Sequence, residues 1–205
     1  MTRLSRLAAI AAIAAAVPLH ANAVDRRFPD WPCVQARVGE ISVATAWTGP
    51  SVEDALDIWD DDRQIADLVA HLAARRTPLD EAEKAAVEFV QNGNGDKQEK
   101  AKLLVAGLFD TLNRERLDVV NGLERLTRRQ RDFATSIEAD AARLRNLQSK
   151  PDADQKEVAD LANRVEWATR IFEERRKSVR FACEVPVVIE QRFFALARAV
   201  QRVLD

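Results

Sequence analysis

The sequence predicts an all-α protein: a long antiparallel helical hairpin, a coiled-coil arm, on a small helical-bundle base, with an irregular N-terminal segment tethered by a disulfide. Three observations carry this expectation. First, residues 96–149 contain no Pro and only two Gly, Gly107 and Gly122, and a second run from Asp154 to the end is interrupted only by Pro186. Two long runs of similar length around one tight break, Lys150-Pro151-Asp152, are what an αα-hairpin leaves in a sequence. Second, apolar residues step by three and four along both runs, as in a coiled-coil seam. Third, the two seams match when the chain is folded at Pro151.

The seams read as follows. In the first run they are Leu112, Val119, Leu123, Leu126, Phe133, Ile137 and Leu144, with Arg116, Gln130 and Asp140 at the intervening positions. In the second they are Val158, Leu161, Val165, Ala168, Phe172, Val179 and Ala182, with Arg175 the polar exception. In an antiparallel pair, partner numbers keep a constant sum. Folding at Pro151 then sets Leu144 against Val158, Ala141 against Leu161 and Ile137 against Val165. Phe133 faces Ala168, a large knob opposite a small one, and Gln130 faces Phe172.

At the start of the chain, Arg3 and Arg6 precede the apolar stretch Leu7 to Val17, which leads to Ala21-Asn22-Ala23. Basic start, apolar centre and small-x-small site make the pattern of a secretory signal peptide over residues 1–23. The apolar stretch is shorter than the roughly 20 residues that a spanning helix needs. The expectation is export to the periplasm, cleavage near Ala23 and no stable membrane anchor afterwards. Removing Arg3 and Arg6 from the 31 basic residues leaves 29 against 33 acidic ones, a formal charge of −4. A phosphate-binding surface wants a basic excess, so nucleic acid is not an expected partner.

Residues 24–50 hold Pro29, Pro32, Pro50, Trp31 and Trp47 and show no helical period. They read as an irregular segment lying on the helices, with a short extended run from Val38 to Val43 between turns. Cys33 lies in this segment and Cys183 late in the second helical run. In an oxidising compartment two lone cysteines pair. A bridge closing so long a loop is credited with roughly 4–5 kcal/mol by the chain-entropy account.

Residues 51–205 form the expected helical domain, with a base of 51–115 and 187–205 and an arm of 116–186. Ser51 and Asp54 suit a first helix start, and Asp60-Asp61-Asp62 opens the next, with Ile65, Leu68, Val69 and Leu72 on one face. Thr77-Pro78-Leu79-Asp80 is a further start, with a capping hydroxyl and Pro in the first turn. That helix carries Ala82, Ala85, Ala86, Phe89 and Val90 and ends at Asn92-Gly93-Asn94-Gly95. In residues 100–115 and 187–205 the apolar arc widens: Leu103, Leu104, Leu108 and Phe109 stand against Val188, Ile189, Phe193, Leu196 and Val200. Helices apolar over so wide an arc need several neighbours. Pro186 should break the last run where arm meets base.

Chemistry leaves little trace. After cleavage His71 is the one histidine, there is no Tyr, and no nucleophile elbow, phosphate loop, Cys-x-x-Cys or haem motif is present. No catalytic residue, no metal site and no cofactor are assigned, and the protein is expected not to be an enzyme. Asp67 and His71, four apart, share a helix face, but two ligands fall short of the four of a structural zinc site. Leu126-Thr127-Arg128-Arg129-Gln130 resembles the Leu-Thr-x-x-Gln motif of small helical periplasmic stress chaperones and metal sensors. The resemblance covers these five residues, occurs once, and falls inside an unbroken run rather than near a helix start. It implies, as an alternative function, client binding or metal response.

Trp167 and Ile171, four apart, point away from the seam, and Phe181 and Val185 continue their flank toward the base. An apolar flank on the outside of a two-helix arm suits an interface. The sequence therefore predicts a non-catalytic interaction protein, an adaptor, scaffold or accessory subunit. Its arm binds a protein partner through Trp167, Ile171 and Phe181, or a second copy as a homodimer.

Overall fold

A computed structural model describes residues 27–92 and 95–205. The expected signal peptide and its cleavage site lie outside the described residues. Five α-helices follow the N-terminal segment: α1 Arg63–Ala73, α2 Leu79–Asn92, α3 Lys97–Gln148, α4 Gln155–Ala182 and α5 Val185–Leu204. Helix α3 has 52 residues and so extends about 78 Å at 1.5 Å per residue. It belongs to both parts of the molecule, lining the base with its first half and the arm with its second.

Three of the helices start on an aspartate. Asp62 Oδ1 accepts from the backbone N–H of Gln64 at 2.8 Å, Asp96 from Gln98 at 2.8 Å and Asp154 from Lys156 at 2.8 Å. Each satisfies a donor that the first helical turn leaves open and places negative charge at the positive end of the helix. The turn between α3 and α4 closes with Lys150 N–H donating to Leu147 O at 3.0 Å and Ala153 N–H to Lys150 O at 3.3 Å. Lys150-Pro151-Asp152 is thus the hairpin tip, as its residue types predict.

The base buries Ile65, Val69 and Leu72 of α1, Ala82, Ala86 and Val90 of α2, Leu104, Leu108 and Leu112 of α3, and Ile189, Phe193, Leu196 and Val200 of α5. Phe193 meets Phe109 edge to face with ring centroids 5.9 Å apart. Gly107 lets α1 and the preceding turn approach the α3 backbone: a Cβ there would sit 2.6 Å from the Trp59 ring and 2.8 Å from Val69 Cγ2. Arg192 is buried among these helices. It donates to Leu72 O at 2.7 Å and Thr77 O at 3.0 Å, satisfying carbonyls at and after the end of α1. Burial lowers its pKa from the ordinary arginine value, partly opposed by Glu115.

Several local expectations are corrected. Ser51 accepts from Glu53 N–H at the head of a single 3-10 turn, Glu53–Ala55, rather than of an α-helix. Thr77 Oγ1 donates to His71 O at 2.9 Å, holding the α1–α2 connection. Val38 to Val43 forms no strand: Val38 to Ile41 has no partner strand beside it among the described residues and bonds instead to α3 side chains, while Ser42 O and Val43 O accept from the 3-10 turn Val43–Thr45 and the residues after it. Val188, expected in the base core, is exposed, whereas Val185, expected on the outer flank, packs against that core. Pro186 sits in the first turn of α5. Only Cys183 and Glu184 separate α4 from α5, both with right-handed helical dihedrals, so the two run almost as one helix. Proline lacks the N–H that would bond to Ala182 O, and this interrupts the ladder there.

The arm follows the sequence seam. Leu123, Leu126, Gln130, Phe133, Ile137, Asp140 and Leu144 of α3 are buried or half-buried, and so are Val158, Leu161, Val165, Ala168, Phe172, Val179 and Ala182 of α4. Gln130 Nε2 lies 3.5 Å from Phe172 O, the partner its position predicts. Near the tip Arg143 and Glu157 form an ion pair at 2.6 Å across the hairpin. Arg175, the polar exception, is exposed and places its guanidinium 5.3 Å from the centroid of the Phe133 ring. Helical side chains lean toward the helix N-terminus, which for α4 is the tip, and that lean carries Arg175 up the arm to Phe133.

Candidate functional site: the outer arm and its root

Two surfaces of the arm carry features beyond folding. The first is the outer flank of α4. Trp167 and Phe181 are 61% and 69% exposed, while Ile171 between them is half-buried. Fourteen helical residues separate the two aromatics, about 21 Å along the axis, and their directions differ by only about 40° around it. The surface between them carries ion pairs within the helix: Arg170 with Glu166 at 3.0 Å, Arg176 with Glu173 at 2.7 Å and Lys177 with Glu174 at 2.8 Å. Arg170 also lies over the Trp167 ring, 5.8 Å from its centroid. Exposed pairs of this kind add little to stability.

The second surface is the arm's root, where the N-terminal segment crosses α3 and reaches α4. Its anchors run in reverse order along α3. Ile41 N–H donates to Asn113 Oδ1 at 3.0 Å. Arg116, almost wholly buried, donates to Val38 O at 3.1 Å and Gly39 O at 3.3 Å. Its Nε lies 3.4 Å from Glu190 Oε2, an ion-pair distance without hydrogen-bond alignment. Arg37 pairs with Glu124 and stacks over Phe28. Asp30 receives Arg128 at 2.9 Å and Arg131 at 3.0 Å. The hydrogen bond from Arg128 is the largest cause that lowers the Asp30 pKa below the ordinary carboxylate value, with Arg131 adding to it.

The segment is closed onto α4 by covalent geometry. Cys33 and Cys183 are bonded, with Cα atoms 5.5 Å apart across a separation of 150 residues, and both cysteines of the chain are thereby used. The Gln35 side-chain amide donates to Cys183 O, and Trp31 Nε1 donates to Gln35 O at 2.7 Å. The strap is thus fixed to the hairpin at both its ends.

Between strap, α3 and α4 lies a groove of about 530 Å³. Pro32, Val34, Phe172, Val179 and the disulfide give it apolar walls, and Arg176 and Arg180 stand at its α4 side. The same two arginines, with Lys177 and Phe181, line a second hollow of about 450 Å³ on the outer flank. The root groove thus adjoins the aromatic flank. Thr127 and Gln130, from the Leu-Thr-x-x-Gln stretch, also line the groove. Thr127 Oγ1 donates to Leu123 O at 3.0 Å within α3.

The groove has no sequence motif because its walls come from residues near 33, 127, 176 and 183, which only the disulfide and the hairpin register bring together. The weak signal available was Arg180, a cation close to Cys183. Asp67 and His71 are engaged separately, with Arg63 at 3.9 Å and Glu81 at 3.8 Å. Among the described residues no group of three His, Cys, Asp or Glu side chains is placed to hold a metal ion, and no helix is long and apolar enough to cross a membrane. The chain matches no protein-family model, and no curated protein or solved structure shows significant similarity to it.

Proposed function

We propose that the chain is an exported, non-catalytic interaction protein whose hairpin arm binds a protein partner along the outer flank of α4. The observation that carries this reading is the exposure of Trp167 and Phe181 on one side of a two-helix arm. Each leaves a large apolar surface in water, and aromatic anchors on rigid elements are the side chains on which interfaces concentrate their energy. The base supplies stability and the arm supplies reach. The Cys33–Cys183 bond suits an oxidising compartment such as the periplasm.

The double variant Trp167→Ala/Phe181→Ala tests the reading, because both side chains are exposed and their removal leaves folding unchanged. A photo-crosslinker at position 174, midway between them, should give one discrete adduct in periplasmic extract, or a dimer with a second copy. The double variant should lose that adduct. No adduct in either protein, with sedimentation unchanged, would contradict the reading. A second reading, a client-holding chaperone, draws on the exposed apolar side chains Val34, Phe181, Val187 and Val188 around the root. It requires suppression of aggregation of a denatured client, which the double variant would weaken.

A further inference from the structure

We propose that the groove at the root of the arm binds a single-chain amphiphile with an anionic head, such as a medium-chain carboxylate, its tail on the disulfide and Phe172 and its head on Arg180 and Arg176. The argument begins with what the lining can still offer. Its polar side chains are mostly committed: Gln35 to Cys183 O, Thr127 to Leu123 O, and the Gln130 amide to Phe172 O. The helix backbones that form two walls are satisfied within their own ladders. Arg180 makes no hydrogen bond or ion pair among the described residues. Arg176 is engaged only by Glu173 in an exposed pair, which an entering carboxylate displaces at small cost. The remaining side-chain donors are therefore two guanidiniums, four residues apart on one helix face, beside an apolar trough. The single carboxylate of the lining, Glu184, is exposed.

That inventory decides between ligand classes. An extended peptide would bring a row of amides into a trough whose helical walls offer none in return and whose strap wall offers only the short stretch Pro32–Val34, and each amide buried unpaired is costly. A neutral hydrocarbon would leave the guanidiniums unused. A chain with one anionic end meets both demands, with a charge-assisted bond at the head and apolar burial along the tail. The volume lies within the usual range for small-molecule sites, roughly 300–1,000 Å³. The groove adjoins the Trp167–Phe181 flank proposed for the partner and shares Arg176 and Arg180 with the hollow beside Phe181, but its apolar trough lies on the strap side.

Calorimetric titration of the oxidised protein with decanoate, below its micelle concentration, tests the proposal. Saturable binding with one decanoate per chain is expected. Arg180→Gln should weaken it about tenfold, the loss of one charge-assisted contact. Val34→Asp should weaken it comparably by placing a carboxylate on the rim. Val34 is 84% exposed, so this variant keeps the fold, and unchanged melting would confirm that. 1-Decanol should bind more weakly than decanoate. Absence of saturable decanoate binding, equal binding of decanol, or indifference to both variants would overturn the proposal. Tighter binding of a short apolar peptide with a free carboxyl end would assign the groove to a peptide instead. A dimer dissociated by Val34→Asp would assign it to a second copy.

Discussion

The base and the arm are built from the same long helix, yet they hold together in different ways. In the base, α3 is surrounded: α1, α2 and α5 bury Leu104, Leu108 and Leu112 completely. In the arm, α3 meets α4 alone, and Leu161 is the only residue of α4 that is fully buried. A helix with one neighbour buries a narrow stripe and leaves the rest of its circumference to solvent. The arm therefore trades core for surface, and Trp167 and Phe181 lie on that surface. The strap compensates where the arm joins the base, adding a third element along α3 from Asn113 to Arg131.

The contrast can be broken from either side. Phe193→Ala removes the largest fully buried side chain of the base and should cost about 3–5 kcal/mol. Urea denaturation should show its midpoint fall for the whole molecule. Joint replacement of Cys33 and Cys183 by serine should cost about 2–4 kcal/mol, read as a lower melting temperature that vanishes when both proteins are compared under reductant. Leu161→Ala should cost about 2 kcal/mol, the low end for a buried leucine because a two-helix arm relaxes around the gap. Here hydrogen exchange should accelerate in residues 123–175 while α1, α2 and α5 keep their protection.

The smallest effect sharpens the role of the strap. Asp30 has a folded pKa below its unfolded value, so its bonds to Arg128 and Arg131 contribute fully above the ordinary aspartate value and fade as pH falls through the lower folded one. Acidification through that window should loosen residues 28–35 first, seen as faster exchange there. Asp30→Asn should remove this pH dependence while leaving the global urea midpoint nearly unchanged.

The arm was legible in the sequence because its determinants are local and periodic. A three-four apolar step fixes which face of each helix is buried, and a tight turn fixes the register, so Gln130 could be set beside Phe172 from numbering alone. The disulfide was legible from the count of two cysteines and from the oxidising compartment that the N-terminal pattern leads one to expect. The strap's path was not, because it depends on Asn113, Arg116 and Arg128 offering side chains to backbone groups far away in the chain, with no period to announce them. Val185 and Val188 exchanged their expected roles because the buried stripe of α4 continues through the join from Ala182 to Pro186, Ile189 and Phe193, which sets Val185 beside it and Val188 away from it. The groove was invisible for the same reason as the strap: its walls meet only when the strap, the disulfide and the hairpin register are all in place.

The hairpin itself is tested most directly by a distance. Spin labels at positions 132 and 170, both exposed and on opposite helices at the same level of the arm, can be measured by pulsed electron resonance in protein diluted with unlabelled chains. Helices packed 8–10 Å apart place the labels within about 30 Å of each other. A distribution centred there supports the fold-back at Pro151. A distribution near 57 Å, the length of 38 residues of uninterrupted helix, would contradict it.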